Sequence, residues 1–328
     1  MKTRSRLAIL LLICALAHAE TTHAQACPAF QDATVLGQAN LPGLSEASGL
    51  AASRQQPGLL WTHNDSGHPA IAFAFESNGT HRAAFALSGI SNQDWEDMAL
   101  GPGPVEGQDY LYLGDIGDNA KARSRITVYR IAEPQVPDTT PANPIPLAGA
   151  VALELQYPDG AHDAETLMVD PDTADLYILT KDREQGVSGL YRAAYPQNES
   201  AVSTLEPLGD LVFAGNLLER LATGGDISPT GEAILVRTYL GAHVWPRTEG
   251  QSIAATLQGT PCVTTLRLEP QGEAITFTPD GQGFLTLSEG TNQPIYEYSP
   301  IPAASLFSPL GTAFLAGFIA LLGARRIH

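Results

Sequence analysis

The sequence predicts an all-β chain folded as a five-bladed β-propeller. Between residues 33 and 298, short apolar runs alternate with clusters of Gly, Pro, Asp and Asn, and the chain holds 31 Gly and 24 Pro in 328 residues. A pair of strand-like runs, led by an acidic residue, recurs five times, with 47 to 69 residues between successive acids. Repeats of this length, each with room for about four short strands, are typical of propeller blades.

Two further strands fit behind most of these pairs, but the last repeat has room for only three strands in all. The run Thr34–Ala39 is free to supply the missing strand. Such a pairing would close the ring and remove the exposed strand edges that otherwise promote aggregation. Residues 133–146 are rich in proline and are expected to form a loop that leaves the second blade. Six blades are the alternative, if residues 200–224 contain a degenerate unit.

The two ends of the chain are expected to direct export and anchoring. Residues 1–26 start with basic residues, continue with an apolar run and end in small residues, which is typical of a secretory signal peptide. A membrane anchor is the alternative, although the run is short for one. Residues 27–300 are the predicted propeller domain. Residues 301–328 contain an apolar stretch followed by Arg325 and Arg326, which predicts a C-terminal transmembrane helix rather than a last amphipathic helix of the domain.

Two cysteines remain in the exported part of the chain, Cys27 and Cys262. An exported protein folds in an oxidising compartment, where two leftover cysteines usually pair. We therefore expect a disulfide between them. Cys262 falls in the outer strand of the fourth unit, beside the closing strand, so this bond would lock the ring.

The leading acids of the repeats are the candidate metal ligands. The first strand of each propeller blade lines the central channel, so equivalent positions converge there, and like charges in a narrow channel call for a cation. Oxygen ligands of this number favour Ca²⁺ over Zn²⁺ or Mg²⁺. The alternative is that the acids only cap strand ends by accepting backbone N–H groups. The predicted ligands are Glu46, Glu96, Glu165, Asp226 and Glu273, joined by Asp65 and Asp115, with Asp94, Asp118, Asn119 and Asp163 near the same rim.

Two cations and two histidines stand beside these acids. Lys181 and Arg237 end second strands, where earlier repeats carry Asp, and they would either hold an anionic substrate group or form ion pairs with the acids opposite. His63 and His162 flank acidic positions and are candidate general bases, with a purely structural role as the alternative.

Composition and missing motifs exclude several classes of protein. The formal net charge is −17, which argues against nucleic-acid binding, since phosphates require basic patches. The sequence contains no G-x-S-x-G, no H-E-x-x-H, no Walker loop and no Rossmann glycine motif.

A series of motifs resembles known bacterial secreted propellers. The segments are 46–50 (EASGL), 61–67 (WTHNDSG), 94–97 (DWED), 113–119 (LGDIGDN), 163–165 (DAE) and 225–229 (GDISP). They occur in an order that is similar to the SdiA-regulated and phytase-like propeller families, and the resemblance implies a propeller with bound Ca²⁺. The tail, with Ile301-Pro302, an apolar stretch and a basic end, resembles sorting tails of the PEP-CTERM type. That resemblance implies membrane anchoring that is at least transient.

These observations predict an exported, monomeric, Ca²⁺-binding propeller held at the cell envelope or released outside the cell. It would act as a binding or interaction module for a glycan, a protein or an anionic small molecule. The alternative is a Ca²⁺-dependent hydrolase, a phosphoesterase or lactonase, with its active site in the central channel.

Overall fold

A computed structural model describes residues 27–302. The strands in chain order are β1 (Thr34–Ala39), β2 (Ala47–Ala52), β3 (Leu59–Asn64), β4 (Ile71–Glu76), β5 (His81–Leu87), β6 (Trp95–Pro102), β7 (Asp109–Asp115), β8 (Ile126–Ala132), β9 (Ile145–Leu147), β10 (Val151–Gln156), β11 (Ala164–Val169), β12 (Leu176–Thr180), β13 (Ser188–Ala193), β14 (Ser203–Thr204), β15 (Glu206–Leu211), β16 (Ala222–Ile227), β17 (Ala233–Thr238), β18 (Gly241–Pro246), β19 (Cys262–Thr265), β20 (Gly272–Phe277), β21 (Phe284–Ser288) and β22 (Gln293–Tyr298). Two short helices are α1 (Leu217–Arg220) and α2 (Ile253–Leu257).

The strands form five sheets arranged as the blades of a propeller. Blade one is β2 to β5, blade two is β6 to β8 with β10, blade three is β11 to β13 with β15, blade four is β16 to β19, and blade five is β20 to β22 with β1. The first strands β2, β6, β11, β16 and β20 pack side by side in a closed ring. The prediction of an all-β, five-bladed propeller is therefore confirmed. Residues 200–224 contain no sixth blade, since β14 and β15 belong to blades two and three.

The ring closes as predicted. Strand β1 pairs with β22 in antiparallel fashion, so the first strand of the domain completes the last blade. A disulfide joins Cys27 to Cys262, which lies in the outermost strand of blade four, with 5.4 Å between the two Cα atoms. Residues 29 and 301 are also hydrogen-bonded, because the N–H of Ile301 donates to the carbonyl of Ala29 over 2.7 Å. Both ends of the domain are thereby fixed at one place.

Residues 133–146 do more than form the expected loop. The segment leads into β9, which pairs in parallel with β5 and adds a fifth strand to blade one. A proline is tolerated there because β9 is an edge strand. At the start of the segment, Glu133 accepts a hydrogen bond of 2.8 Å from the indole N–H of Trp61 in blade one. The excursion therefore ties blade two to blade one.

The first strands of the blades are buried along their whole length in blades one, three and five. Small residues are required where these strands approach one another. A Cβ atom on Gly224 would lie 2.5 Å from the carbonyl oxygen of Glu273, which is closer than real side chains come. The apolar core lies between the blades rather than at the axis, and its buried clusters each combine residues of adjacent blades.

The predicted signal peptide (1–26) and most of the predicted C-terminal membrane helix (301–328) lie outside the described residues. Within residues 27–302, no helix has the length and apolar character needed to cross a membrane.

Candidate metal centre

The first strand of every blade has an irregularity near its start, at the same level of the ring. The pairing register with the second strand shifts after the first residue of β2, β6, β11, β16 and β20. A bulge of this kind leaves one residue outside the ladder and redirects its side chain. The bulged residues are Ser48, Glu96, Glu165, Thr223 and Glu273. Contacts between neighbouring blades connect several of them, so this level forms a polar ring at one mouth of the channel.

The bulges bring together three of the five acids that head the repeats: Glu96, Glu165 and Glu273, all buried. Glu46 lies two residues before the bulged Ser48, and its partly exposed carboxylate pairs with His68 Nε2 at 2.8 Å. Asp226 lies near the opposite end of its strand, away from the bulge of blade four. There it accepts the backbone N–H groups of Ile227 and Phe277, as expected of an acid that only caps strands.

Two groups of three carboxylates share Glu96. One oxygen each from Asp65, Asp94 and Glu96 lie within 4.8 Å of one another, and the same holds for Glu96, Asp163 and Glu165. Asp94 and Asp163 immediately precede β6 and β11, while Asp65 immediately follows β3. The carboxylates therefore come from blades one, two and three, and they could hold a metal ion on that side of the channel mouth.

Glu96 is the central acid of both groups and has no counter-charge among the described residues. Glu96 is only 4% exposed. Within residues 27–302, no side chain forms an ion pair with its carboxylate and no group donates a hydrogen bond to it. Burial raises the pKa of Glu96 well above its usual range, and the charges of Glu165, Asp65 and Asp94 raise it further. A buried, unpaired carboxylate among other carboxylates is an arrangement that a bound cation would stabilise.

Two other acids of the rim, Asp65 and Glu289, also have raised pKa values. Burial raises the pKa of Asp65 to about 6, with further contributions from the charges of Glu273 and Asp94. Burial also raises the pKa of Glu289 to about 9, with a contribution from a carboxyl–carboxylate hydrogen bond to Glu273. At neutral pH these acids cannot all ionise without a positive charge among them. The oxygens and their charges fit a hard divalent cation.

Asp115 shapes this site without joining either group of three. Its carboxylate pairs with Arg123 at 2.8 Å and accepts the N–H groups of Gln93 at 3.1 Å and Asp94 at 3.3 Å. It thereby fixes the loop that presents Asp94. Asp118 acts similarly on blade three, because its backbone N–H donates to Asp163 over 2.8 Å.

Lys181 lies beside the metal-binding side of the ring. Its ammonium group is 2.7 Å from Glu165 Oε2 and donates a 3.0 Å hydrogen bond to the hydroxyl of Tyr239, and the residue is only 1% exposed. Burial alone would lower the pKa of Lys181, but Glu165 and Tyr239 raise it above its ordinary value. Burial in turn raises the pKa of Glu165 to about 7, although the charge of Lys181 opposes this rise. Lys181 is therefore ion-paired, as one of its two predicted roles required.

Arg237 lies away from the channel mouth. It is fully buried between blades four and five, where it pairs with Glu269 and donates a 3.0 Å hydrogen bond to the carbonyl of Ala274. It occupies the strand position that His63 holds in blade one. The residue that corresponds to Lys181 in blade four is Tyr239, which also follows a second strand directly.

The two histidines have different surroundings. His63 is fully buried, and its Nδ1 atom lies 2.9 Å from the carbonyl oxygen of Asn64. Burial lowers the pKa of His63 to about 4. His162 is partly exposed and lines a cavity of about 160 Å³ that also reaches Asp163 and Lys181. Only His162 is therefore placed beside the carboxylate groups.

Asp159 and Tyr191 complete the wall of the cavity around His162. The Nε2 atom of His162 lies 3.1 Å from an oxygen of Asp159 and 3.2 Å from the hydroxyl of Tyr191. The Tyr191 hydroxyl donates to Asp159 over 2.8 Å. The cavity thus joins the candidate metal centre to a hydrogen-bonded polar group on blade three.

Comparison with known proteins adds two likenesses of fold. No protein-family model matches the sequence, and no curated protein matches it. A gluconolactonase from Xanthomonas campestris is 12% identical over 81% of this chain and 89% of its own, with a TM-score of 0.44. The PQQ-bound aldose sugar dehydrogenase from Streptomyces coelicolor is 12% identical over 84% of this chain and 100% of its own, with a TM-score of 0.45. Neither likeness assigns an activity to this chain.

Proposed function

We propose that this chain is an exported, envelope-anchored propeller that binds Ca²⁺ at the mouth of its channel and uses that site to bind a ligand. The observation that carries the proposal is the buried carboxylate of Glu96, which has no cationic or hydrogen-bonding partner among the described residues and belongs to two carboxylate groups at once. Such a group is costly unless a cation neutralises it.

The donor atoms favour Ca²⁺ over other metals. Both groups consist of carboxylates alone, without the imidazole or thiolate ligands that Zn²⁺ prefers, and the cysteines of the domain are joined in a disulfide. Ca²⁺ accepts six to eight oxygens in flexible geometry, whereas Mg²⁺ requires a near-ideal octahedron. Glu165 is already engaged by Lys181, so the ligands that remain are Asp65, Asp94, Glu96 and Asp163.

Calorimetric titration of the metal-stripped protein with CaCl₂ tests the site. Wild type should bind Ca²⁺ and gain thermal stability, since a ligand that binds only the folded state stabilises it. Glu96→Gln should lose this binding. Glu46→Gln is the matched control, because Glu46 lies at the same rim but pairs with His68, and it should bind as wild type does. Absence of Ca²⁺ binding in wild type, or wild-type affinity in Glu96→Gln, would overturn the proposal.

The ligand site that we propose is the cavity lined by Asp163 and His162. A ligand there would lie next to the bound ion, and a glycan, a protein loop or an anionic small molecule could each supply oxygens to it. Screening of glycan arrays and anionic metabolites with and without Ca²⁺ tests this role. Saturable, Ca²⁺-dependent binding that Tyr191→Phe weakens would support it, and binding that is unchanged by chelation would contradict it.

A hydrolase is the second candidate function, favoured by the position of His162. It lines the cavity next to Asp163, and its Nε2–H donates to Asp159, so Nδ1 is the ring nitrogen that could accept a proton from a nucleophile in the cavity. Phosphoester and lactone panels should then show Ca²⁺-dependent turnover that His162→Gln abolishes while Ca²⁺ binding persists. An inactive wild type across both panels would eliminate this function and leave the binding role intact.

A further inference from the structure

One position of the repeat changes its charge around the ring. The residue that directly follows the second strand is Asp65 in blade one, Ile116 in blade two, Lys181 in blade three, Tyr239 in blade four and Glu289 in blade five. In blades one, three and five the backbone N–H of this residue makes the same hydrogen bond, to the residue before the first strand. Lys181 therefore occupies a position that carries an acid in two other blades.

The ammonium group of Lys181 lies where a metal ion would have to lie to neutralise the carboxylates of Glu165 in blade three and Glu273 in blade five. It is 2.7 Å from Glu165 Oε2, and its partner Tyr239 lies 3.4 Å, hydroxyl to carboxylate oxygen, from Glu273. An N–O separation of 2.7 Å is close to the Ca–O range of about 2.3–2.6 Å. An ammonium group held by carboxylate and hydroxyl oxygens at such distances fills the space that a bound cation would fill.

The hydrogen bonds continue around the ring. Tyr239 donates to Glu273. The hydroxyl of Ser48 donates to the backbone carbonyl of Glu96 and lies 3.4 Å from a carboxylate oxygen of Glu273. Lys181 thus supplies a positive charge to the half of the ring formed by blades three to five. Glu96, on the other half, receives no cation from the described part of the chain.

We propose that Lys181 is a built-in cation that takes the place of a second metal ion and limits this centre to one. The inference rests on the proposed Ca²⁺ site, which then holds a single ion between Asp65, Asp94, Glu96 and Asp163. Removing the ammonium group frees the Oε2 atom of Glu165, while Arg183 stays paired with Oε1, and this oxygen and Glu273 can then bind a second ion at the vacated position.

Counting bound ions tests this role directly. Native mass spectrometry and calorimetry, with CaCl₂ added to the metal-stripped full chain, should give one ion for wild type and two for Lys181→Met. The double variant Lys181→Met/Glu165→Gln should return to one ion, because the new site loses its carboxylate. Arg183→Met is the matched control: Arg183 also pairs with Glu165, at 2.9 Å, and with the proposed ligand Asp163, at 3.6 Å, but its side chain is 46% exposed. Removing this exposed cation should leave the count at one ion.

The outcomes separate this inference from the proposed function. One ion in both wild type and Lys181→Met would overturn the role of Lys181 and leave the Ca²⁺ site standing. No ion in wild type and one in Lys181→Met would support the role of Lys181 and overturn the proposed function. No ion in either protein would overturn both. If Lys181→Met fails to fold without Ca²⁺, Lys181→Gln, which keeps a hydrogen-bonding side chain without the charge, gives the same count.

Discussion

Gly117 offers a way to disturb the candidate metal centre without changing any of its carboxylates. It is buried just after β7, and a Cβ atom at this position would lie 2.6 Å from Asp94 Oδ2 and closer still to Glu96 Oε1. The backbone of Gly117 is not among the positive-φ glycines, so alanine is tolerated by the main chain itself. The effect of Gly117→Ala therefore falls on the two carboxylates.

The size of this effect follows from the distances. To reach an ordinary contact of at least 3.4 Å, the Asp94 oxygen must move by about 0.8 Å and the Glu96 oxygen by more. Metal sites tolerate changes in ligand distance of only about 0.2 Å. Residues that support ligands typically contribute about 10- to 100-fold to metal affinity. We expect Gly117→Ala to weaken Ca²⁺ binding by that factor, or about 1.4–2.7 kcal/mol.

Calorimetric titration of Gly117→Ala with CaCl₂ measures this loss, and circular dichroism checks that the fold is retained. Gly241→Ala is the matched control, since a Cβ atom there meets its nearest neighbours at ordinary distances of 3.5 and 3.6 Å. It should bind Ca²⁺ as wild type does. A folded Gly117→Ala protein with wild-type affinity would refute the placement of the ion between Asp94 and Glu96.

Replacing Cys27 and Cys262 together by Ser should lower the free energy of unfolding, measured in urea titrations, by up to about 5 kcal/mol, because the disulfide spans 235 residues. A loss below about 1 kcal/mol would show that strand pairing alone keeps the ring closed. In metal-free protein, the contribution of Glu289 to stability should fall between about pH 4.5 and about pH 9, because its pKa is raised from 4.5 to about 9 and the folded state keeps a proton that the unfolded chain has lost. The same slope in Glu289→Gln would contradict this. Arg237→Met should destabilise the protein by about 3–5 kcal/mol, because it leaves the carboxylate of Glu269 buried without its ion-pair partner. In thermal melts the double variant Arg237→Met/Glu269→Leu should recover most of that loss, and no recovery would assign the effect to lost packing.

The fold was accessible from the sequence because its signals repeat. Each blade begins with two apolar runs separated by a tight turn, and the short last repeat pointed to Thr34–Ala39 as the closing strand. The pairing of Cys27 with Cys262 was accessible for another reason, since they are the two cysteines left after the predicted signal peptide. The extra strand β9 was missed, because a three-residue strand within a proline-rich stretch has no periodicity to reveal it.

The site was only partly accessible, because a bulge changes the register within each first strand. Aligning the repeats by their acids placed Asp226 with Glu96, whereas the pairing register places Thr223 there. Arg237 was matched to Lys181 for its charge, although it lies two residues before Tyr239, the true equivalent. Counting from the last residue of each second strand would have found Tyr239 and Glu289, since both follow such a strand directly.

The closure of blade five also determines on which face of the ring the described chain ends. The first strand of each blade starts at the mouth that carries the carboxylates, and successive antiparallel strands reverse direction. As the third strand of its blade, β22 ends on the opposite face, where the chain continues through Pro300. The described chain therefore ends at residue 302 on the back of the ring, so the anchoring proposed above would hold the domain by that face. A domain held in this way at a surface would turn its acidic mouth outward, toward whatever diffuses past.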